Sequence, residues 1–412
     1  MSPRPVLLPA VFLVLASLPG CGSGSSSGQP ADAGEDVAHP DTTVETVEDP
    51  EPDAEEVVAD PVEDDPVDLA GDPDAWDAEE EAAGSPEGCV EGMFRPYWGN
   101  MHAHTSNSDG DGTPAEAFAY ARDVAGLDIM VVTDHLEQLY FPGGRWDGCR
   151  SAADAATSDG VYVAACGYEY GSGFILPWFW STGHNNVFFV DYLFPEIQLD
   201  FHDFYLSVDG CPDCIAEFNH PGDDPFMTWN DFEYFPTTDV KMNLFEFNTD
   251  GDPWPLFFQA LDAGWHVSPV QNQDNHSASW GTSDDTRAGL FLAGLTRADL
   301  HEAMRDRRSF MTQDRNASVA MMAETSCWMG SILSGIGAVT LGIEAVDGDA
   351  GDGFQAIDLF GPGGALVASY DCGGADSCIA AFPLDPAPPY AVARATQADG
   401  DLLVSAPVWV EP

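Results

Sequence analysis

The sequence predicts an α/β body followed by a small all-β module. Three observations carry this. Between Cys89 and Gln313, short apolar runs alternate with helical stretches. The runs are almost continuously apolar, as in parallel strands covered on both faces. After Gln313 the helical pattern stops, and strand-like runs follow one another between Gly, Asp and Pro turns. The body therefore reads as an α/β barrel or a doubly wound sheet, and the module as a sandwich.

Near its start the chain of 412 residues carries "VLLPAVFLVLASLPGC", from Val6 to Cys21, an apolar run too short for a stable membrane span. Arg4 precedes it and a small-residue site follows, so residues 1–21 read as a secretory signal peptide. "LPGC" resembles the bacterial lipobox, which makes Cys21 the expected lipid anchor to a membrane. Pro19 departs from that pattern, and an ordinary signal peptide cut nearby is the alternative. Gly22 is compatible with outer-membrane or cell-surface sorting in a Gram-negative source. Residues 22–88 are rich in Asp, Glu, Pro, Ser and Gly and hold no Lys or Arg. Such a tract buries too little apolar surface to offset its ordering entropy and reads as a disordered tether.

The formal net charge is -57, from 13 basic and 70 acidic residues. Such a molecule repels nucleic acid, so a DNA or RNA substrate is not expected. Setting Cys21 apart leaves eight of the nine cysteines, an even number that favours disulfides in an exported chain. Cys211–Cys214 and Cys372–Cys378 are the expected local pairs. "CPDC" lacks the helix-opening context of a redox motif.

Within the body, "IMVVTDH", "VYVAACGYE", "NNVFFV", "IAEFNH", "NLFEFN", "HVSPVQNQDNH" and "AGLFLAG" read as strands. "TPAEAFAYARDVAG" has a Thr cap, Pro in the first turn and a Gly stop; "DPWPLFFQALDAG" and "TRADLHEAMRDRR" carry similar signals. In the module, "NASVAMMAE", "GAVTLGIEAVDGD", "FQAIDLFGPGGALVASYD" and "YAVARATQADGDLLVSAPVWV" read as strands with hairpin turns at "PGG" and "ADGD".

Histidines and acids then fall into a pattern. His102 and His104 close the first strand, in "GNMHAHTSNSDG", with Asp109 five residues on. Residues i and i+2 of a strand share a side, so this His-x-His aims two imidazoles at one point. His135, Glu169 and His220 end later strands, and Asp274 and His276 end another, again two apart. In a parallel α/β barrel, strand C-termini meet at one face, where sites form. Taken singly, each is a capping or hydrogen-bonded polar residue; together they point to bound metal. His184 is the exception, because it precedes its apolar run. The set exceeds what one tetrahedral ion needs, so two or three divalent ions are expected, with Glu169 bridging. Imidazole with carboxylate suits zinc, manganese or iron.

Other residues leave two readings open. Asp134 either orients an imidazole or caps a strand end. Arg287 either clamps a substrate anion or pairs with Asp284 or Asp285. Glu246 and Asn248 either support the ligands or are merely polar. "FILPWFW" either walls a pocket or covers it as a lid.

The ordered motifs "HAHTSNSDG", "VVTDH", "GYE", "GHNN", "NHP" and "QDNH", over Tyr97 to His276, resemble those of the PHP (polymerase and histidinol phosphatase) superfamily. Downstream, "RRSFMTQDRNASVAMM", "WMGSIL" and "SAPVWV" resemble its CehA/McbA metallohydrolase branch. The resemblance implies a distorted seven-stranded α/β barrel over residues 89–313 with a trinuclear site, and an appended β-sandwich over 314–412. It implies one ion on His102, His104, Glu169 and Asp274, a second on Glu169, His184 and His220, and a third on Asp109, His135 and His276. "QNQDNH" lacks the usual Gly-Ser before the aspartate, and Asn100 stands where the branch often has an acid.

The expected activity is hydrolysis of a small-molecule ester by metal-activated hydroxide, with Glu169, Asp274 and Arg287 as catalytic candidates. A phosphoester is the foremost substrate class. Carbamate or carboxylic ester hydrolysis with the same centre, and a non-catalytic metal-binding surface lipoprotein, are the alternatives.

Overall fold

The computed structural model describes residues 86–171, 183–195, 201–223, 228–248, 252–349 and 351–412. Cys21, most of the acidic tract and the "FILPWFW" segment lie outside these residues. No described helix is long and apolar enough to cross a membrane.

The body is mixed α/β. Its elements are β1 (Arg95–Asn100), α1 (Pro114–Asp123), β2 (Ile129–Val132), α2 (Leu136–Leu139), α3 (Arg145–Ala156), β3 (Val163–Cys166), β4 (Tyr168–Gly171) and β5 (His184–Phe188). There follow α4 (Phe201–Gly210), β6 (Ile215–Asn219), α5 (Trp229–Phe232), β7 (Met242–Glu246), α6 (Pro253–Ala263), β8 (Ser268–Val270), β9 (Arg287–Leu292), α7 (Arg297–Arg305) and β10 (Ser309–Thr312). The helix signals act as the sequence suggests. Thr113 accepts from the Glu116 N–H while Glu116 reaches back to the Thr113 N–H, with Pro114 in the first turn. Asp252 caps α6, which ends at Gly264 with φ +112°, a left-handed stop suited to glycine.

Strand direction departs from the all-parallel expectation. β1, β2 and β3 pair in parallel, as do β6, β7 and β8. β5 runs antiparallel to both β4 and β6, and β9 runs antiparallel to β1. β4 to β8 form a separate five-stranded sheet. The ladders do not join into one closed sheet; isolated parallel bridges, His135 to Glu169 and Ala103 to Asn275, link their ends. One apolar cluster collects Ile129, Val163, Phe188, Ile215, Leu244, Val270 and Leu290, drawn from strands of both sheets. These side chains pack against one another beneath the strand ends that carry the histidines.

The C-terminal strands are β11 (Ser318–Ala323), β12 (Cys327–Trp328), β13 (Ile332–Ser334), β14 (Val339–Val346), β15 (Phe354–Gly361), β16 (Ala365–Ala375), β17 (Ser377–Leu384), β18 (Tyr390–Gln397), β19 (Leu402–Ser405) and β20 (Val408–Glu411). β11, β12, β14 and β17 form a four-stranded sheet. Its inward residues, such as Leu341, Ile343 and Ala345, pack with Ala391, Ala393 and Ala395 of β18. The opposing sheet continues into the body: β10 pairs with β9 on one side and with β19 on the other.

Cys372–Cys378 is a disulfide, as the spacing suggests. Cys211–Cys214 is not: both are free and buried. Their turn is held instead by backbone acceptors, with Lys241 Nζ donating to the carbonyls of Val208, Asp209 and Cys211. The other disulfides among the described residues are Cys89–Cys327 and Cys149–Cys166.

Candidate metal centre

Just beyond β1, the His-x-His stretch is gripped from both sides. The Thr133 N–H donates to the Ala103 carbonyl and the His104 N–H to that of Asn275, each at 2.8 Å. Alternation then sends His102 and His104 into the same space, both fully buried. His135 follows β2, and Glu169 lies in β4 opposite it. His184 opens β5, and the antiparallel direction of that strand brings its start to the end where its neighbours finish. This explains why His184 precedes its apolar run and still reaches the cluster. His220 and Asp274 have φ of +31° and +44°. Left-handed backbone at residues with side chains costs roughly 1–3 kcal/mol each and is held by surrounding contacts.

Glu169 is the hub. Its Oε1 lies 2.9 Å from His184 Nδ1, 3.2 Å from His220 Nε2 and 3.6 Å from His102 Nε2. Its Oε2 lies 3.0 Å from His135 Nδ1 and 3.3 Å from His104 Nε2. Asp274 Oδ1 stands 3.2 Å from His102 Nε2, 3.0 Å from His104 Nε2 and 3.6 Å from His276 Nδ1. Asp109 reaches His276 Nε2 at 3.4 Å, His135 Nε2 at 3.6 Å and His104 Nδ1 at 3.7 Å. One group of donor atoms within 4.8 Å of one another joins His102 to Glu217 and Glu246, and three more lie on these residues, two of them sharing His104. Those three are His102, His104 and Asp274; Glu169, His184 and His220; and His104, Asp109, His135 and His276.

Electrostatics within the cluster are strong. Burial disfavours the charged ring of His102, but Asp274, Glu246 and Glu169 outweigh it and hold its pKa well above the usual value. His104 is opposed by burial and carried up to about 9 by Asp274 and Glu169. Burial also opposes the charged rings of His135 and His220, and Glu169 raises both. Glu169 itself resists burial and is held well below the carboxylate range by His184 and His102. Asp274 is lowered against burial by His102 and His104.

The residues fit divalent ions. With Nδ1 donating to Glu246, a neutral His102 turns the Nε2 lone pair inward, 3.3 Å from His104 Nε2. Asp274 Oδ1 is buried and has no hydrogen-bond partner, although imidazole nitrogens stand beside it. Lone pairs converging in this way need a shared cation, or protons, between them.

Sequence reasoning left two acids unassigned or unseen. Glu246 contacts His102 Nδ1 through Oε1 and Oε2, at 3.0 and 3.1 Å, and accepts the His220 N–H at 2.9 Å. Glu217 was missed. It is fully buried, accepts from Asn186 and Asn272, and is pushed well up by burial and by Glu246. The available signal was an acid in the middle of an apolar strand, "IAEFNH". Asp134 does not touch an imidazole: it accepts from the Thr105 N–H and hydroxyl and from Ser108 Oγ, which lies 3.2 Å from His104 Nδ1. Arg287 is buried and donates to the carbonyls of Asp284 and Thr286; none of these contacts reaches the cluster.

The fold and site thus define a mixed α/β protein with a buried histidine–carboxylate cluster suited to divalent ions. No family model matches the chain, and no curated protein matches it. Among solved structures, it is similar to a two-domain protein from Bacteroides vulgatus containing a predicted PHP-like metal-dependent phosphoesterase. That likeness has 17% identity and a TM-score of 0.43, covering 79% of this chain and 91% of the other. It is also similar to the lesion-specific endonuclease PfuEndoQ from Pyrococcus furiosus, at 13% identity and a TM-score of 0.35, over 51% of this chain and 56% of that one.

Proposed function

We propose that the protein is a metal-dependent hydrolase acting on a small-molecule phosphoester. One observation carries this reading: the Glu169 carboxylate lies 2.9–3.6 Å from the imidazoles of His102, His104, His135, His184 and His220. In the proposal His102, His104 and Asp274 hold one ion, Glu169, His184 and His220 a second, and Asp109, His135 and His276 a third, with Glu169 shared between groups. Zinc, manganese or iron suits these donors. Such ions would acidify a water and offset charge developing on the substrate oxygen. Glu246 holds the His102 ring, Ser108 with Asp134 steadies His104, and Asn219 donates to Glu169 at 3.2 Å. The side of the cluster nearest solvent carries Asp109 and His276, so substrate approaches there.

The barrel reading rests on the apolar cluster shared by both sheets and on the bridges between their ends. The proposal includes a PHP-type barrel over residues 89–313, of the CehA/McbA branch, and a sandwich-like domain over 314–412. It also includes export through residues 1–21, a lipid on Cys21 and a tether over 22–88. The acidity of the chain argues against a nucleic-acid substrate.

A carbamate or carboxylic ester is the second reading. It is favoured by one fact: among the described residues, no Lys or Arg pairs with Glu169, Asp274 or Asp109 to help bind a phosphate. Elemental analysis of purified protein, followed by a mixed phosphoester and ester screen, tests both readings. Turnover of phosphoesters, lost on chelation, supports the first; turnover of esters alone supports the second. A fully loaded protein inactive on both panels would overturn hydrolysis.

A further inference from the structure

Where β14 and β18 finish, a different donor set gathers between the two sheets of the sandwich. Asp347 follows the inward-facing Ile343 and Ala345 of β14, and Gln397 follows the inward-facing Ala393 and Ala395 of β18. They are 7% and 1% exposed. They meet between the two sheets, where Gln397 Nε2 donates to Asp347 Oδ2 at 3.0 Å. Gln397 Oε1, on the same amide, is buried without a partner. A second amide oxygen, Asn316 Oδ1, is likewise buried and unpartnered. The Asn316 side chain lies against Gly348, the residue after Asp347. Asp314 fixes that loop, its Oδ1 accepting the N–H groups of Asn316 and Ala317 at 2.7 and 2.9 Å.

Among the described residues no Lys or Arg forms an ion pair with Asp347, whose Oδ1 accepts the Asp349 N–H at 2.8 Å. Burial first, and then the charge of Asp314, hold the Asp347 carboxyl above its usual range. Asp401 is raised by burial and by Asp399 and Asp314. Arg287 donates to carbonyls and acts on Asp314 through its charge alone, and Arg315 pairs with Asp285. Burying an amide oxygen without a donor is costly, and so is placing carboxylates together. A water could satisfy the amides, but only a cation also offsets the charge. Carboxylate and amide oxygens, with no imidazole or thiolate, are the donors calcium takes.

We propose that this end of the sandwich is a calcium site, built on Asp347, Gln397 Oε1, Asn316 Oδ1 and Asp314, with Asp399 and Asp401 at its rim. It shares no residue with the imidazole cluster, differs from it in donor chemistry, and does not depend on the hydrolase reading.

The test uses the full chain, stripped of metal and then saturated with zinc so that the imidazole cluster is filled. Calcium chloride is titrated by calorimetry, with magnesium chloride as a control. A calcium step that magnesium does not reproduce is expected, together with a rise in thermal midpoint. Asp347→Asn should weaken that step roughly tenfold or more, the loss of one charged ligand, and leave zinc uptake unchanged. Gln397→Glu keeps the test decisive if Asp347→Asn does not fold. Without calcium the added carboxylate faces Asp347 and lowers the thermal midpoint; calcium should restore it. Absence of a calcium step in the wild type, or a step unchanged in both variants, overturns the proposal. Binding by the acidic N-terminal tract alone gives that second result. A Gln397→Glu midpoint indifferent to calcium, as for a site holding water only, also overturns it.

Discussion

Glu246 holds His102 with both oxygens, at 3.0 and 3.1 Å from Nδ1, while the same carboxylate accepts the His220 N–H. One buried acid from β7 thus sets the tautomer of one imidazole and the backbone position of another. Glu246→Gln keeps the volume but weakens the hold on the ring. It should lower metal affinity about 10- to 100-fold, the usual effect of losing such an outer partner. Metal titration against a chelator of known affinity reads this; unchanged affinity would count against the positioning role.

Glu169 lies between donor groups, so Glu169→Ala should lower metal content at more than one site and abolish turnover. His276→Ala, at the exposed side, should empty chiefly the group containing Asp109 and His135. Metal stoichiometry and rate, measured for both variants, check this. Wild-type turnover in Glu169→Ala, or fewer than two ions in fully loaded wild type, would sink a multinuclear centre.

The pH dependence of the metal-free protein follows from the shifts. His102, His104, His135 and His220 have raised pKa values, so their stabilisation is full below the usual 6.5 and is lost as pH rises, for His104 through about 9. Glu169 and Asp274 are lowered, so theirs is full above the ordinary values of 4.5 and 3.8 and is lost as pH falls. The thermal midpoint of metal-free protein should therefore be highest between these limits and decline from pH 6.5 toward 9. Zinc must displace those protons, so loading at pH 7 should release protons, visible as a buffer-dependent binding enthalpy. A binding enthalpy identical in buffers of different ionisation heat would contradict this.

Cys211 and Cys214 are free and buried, with burial pushing the Cys214 thiol up. They should react slowly with alkylating reagent in the native protein and fully after denaturation without reductant. Peptide mass mapping distinguishes the outcomes; a peptide carrying Cys211 joined to Cys214 would show the pair to be oxidised.

Much of the site was legible because its residues sit at strand ends, where a polar group after an apolar run is conspicuous. Strand direction was not legible: "NNVFFV" reads the same in either sense, so His184 looked misplaced until β5 proved antiparallel. Glu217 was hidden because one acid within an apolar strand changes the hydrophobic pattern little. Disulfide partners were legible only where local. Cys89 and Cys327 lie 238 residues apart, and nothing near either names the other. The run of the body sheet into the module was equally invisible, since β10 and β19 are far apart in the chain.

That shared sheet bears on the order in which the molecule can assemble. The loop bearing His102 and His104 needs Asn275 beside it, and β10 finds its outer neighbour only in residues near Ser405. These are high-contact-order pairings, which make for slow, late consolidation. A nascent chain that has emerged only as far as His220 holds several of the imidazoles but lacks the strand that completes their enclosure. Metal uptake is therefore expected only after the chain has been completed, not during its synthesis.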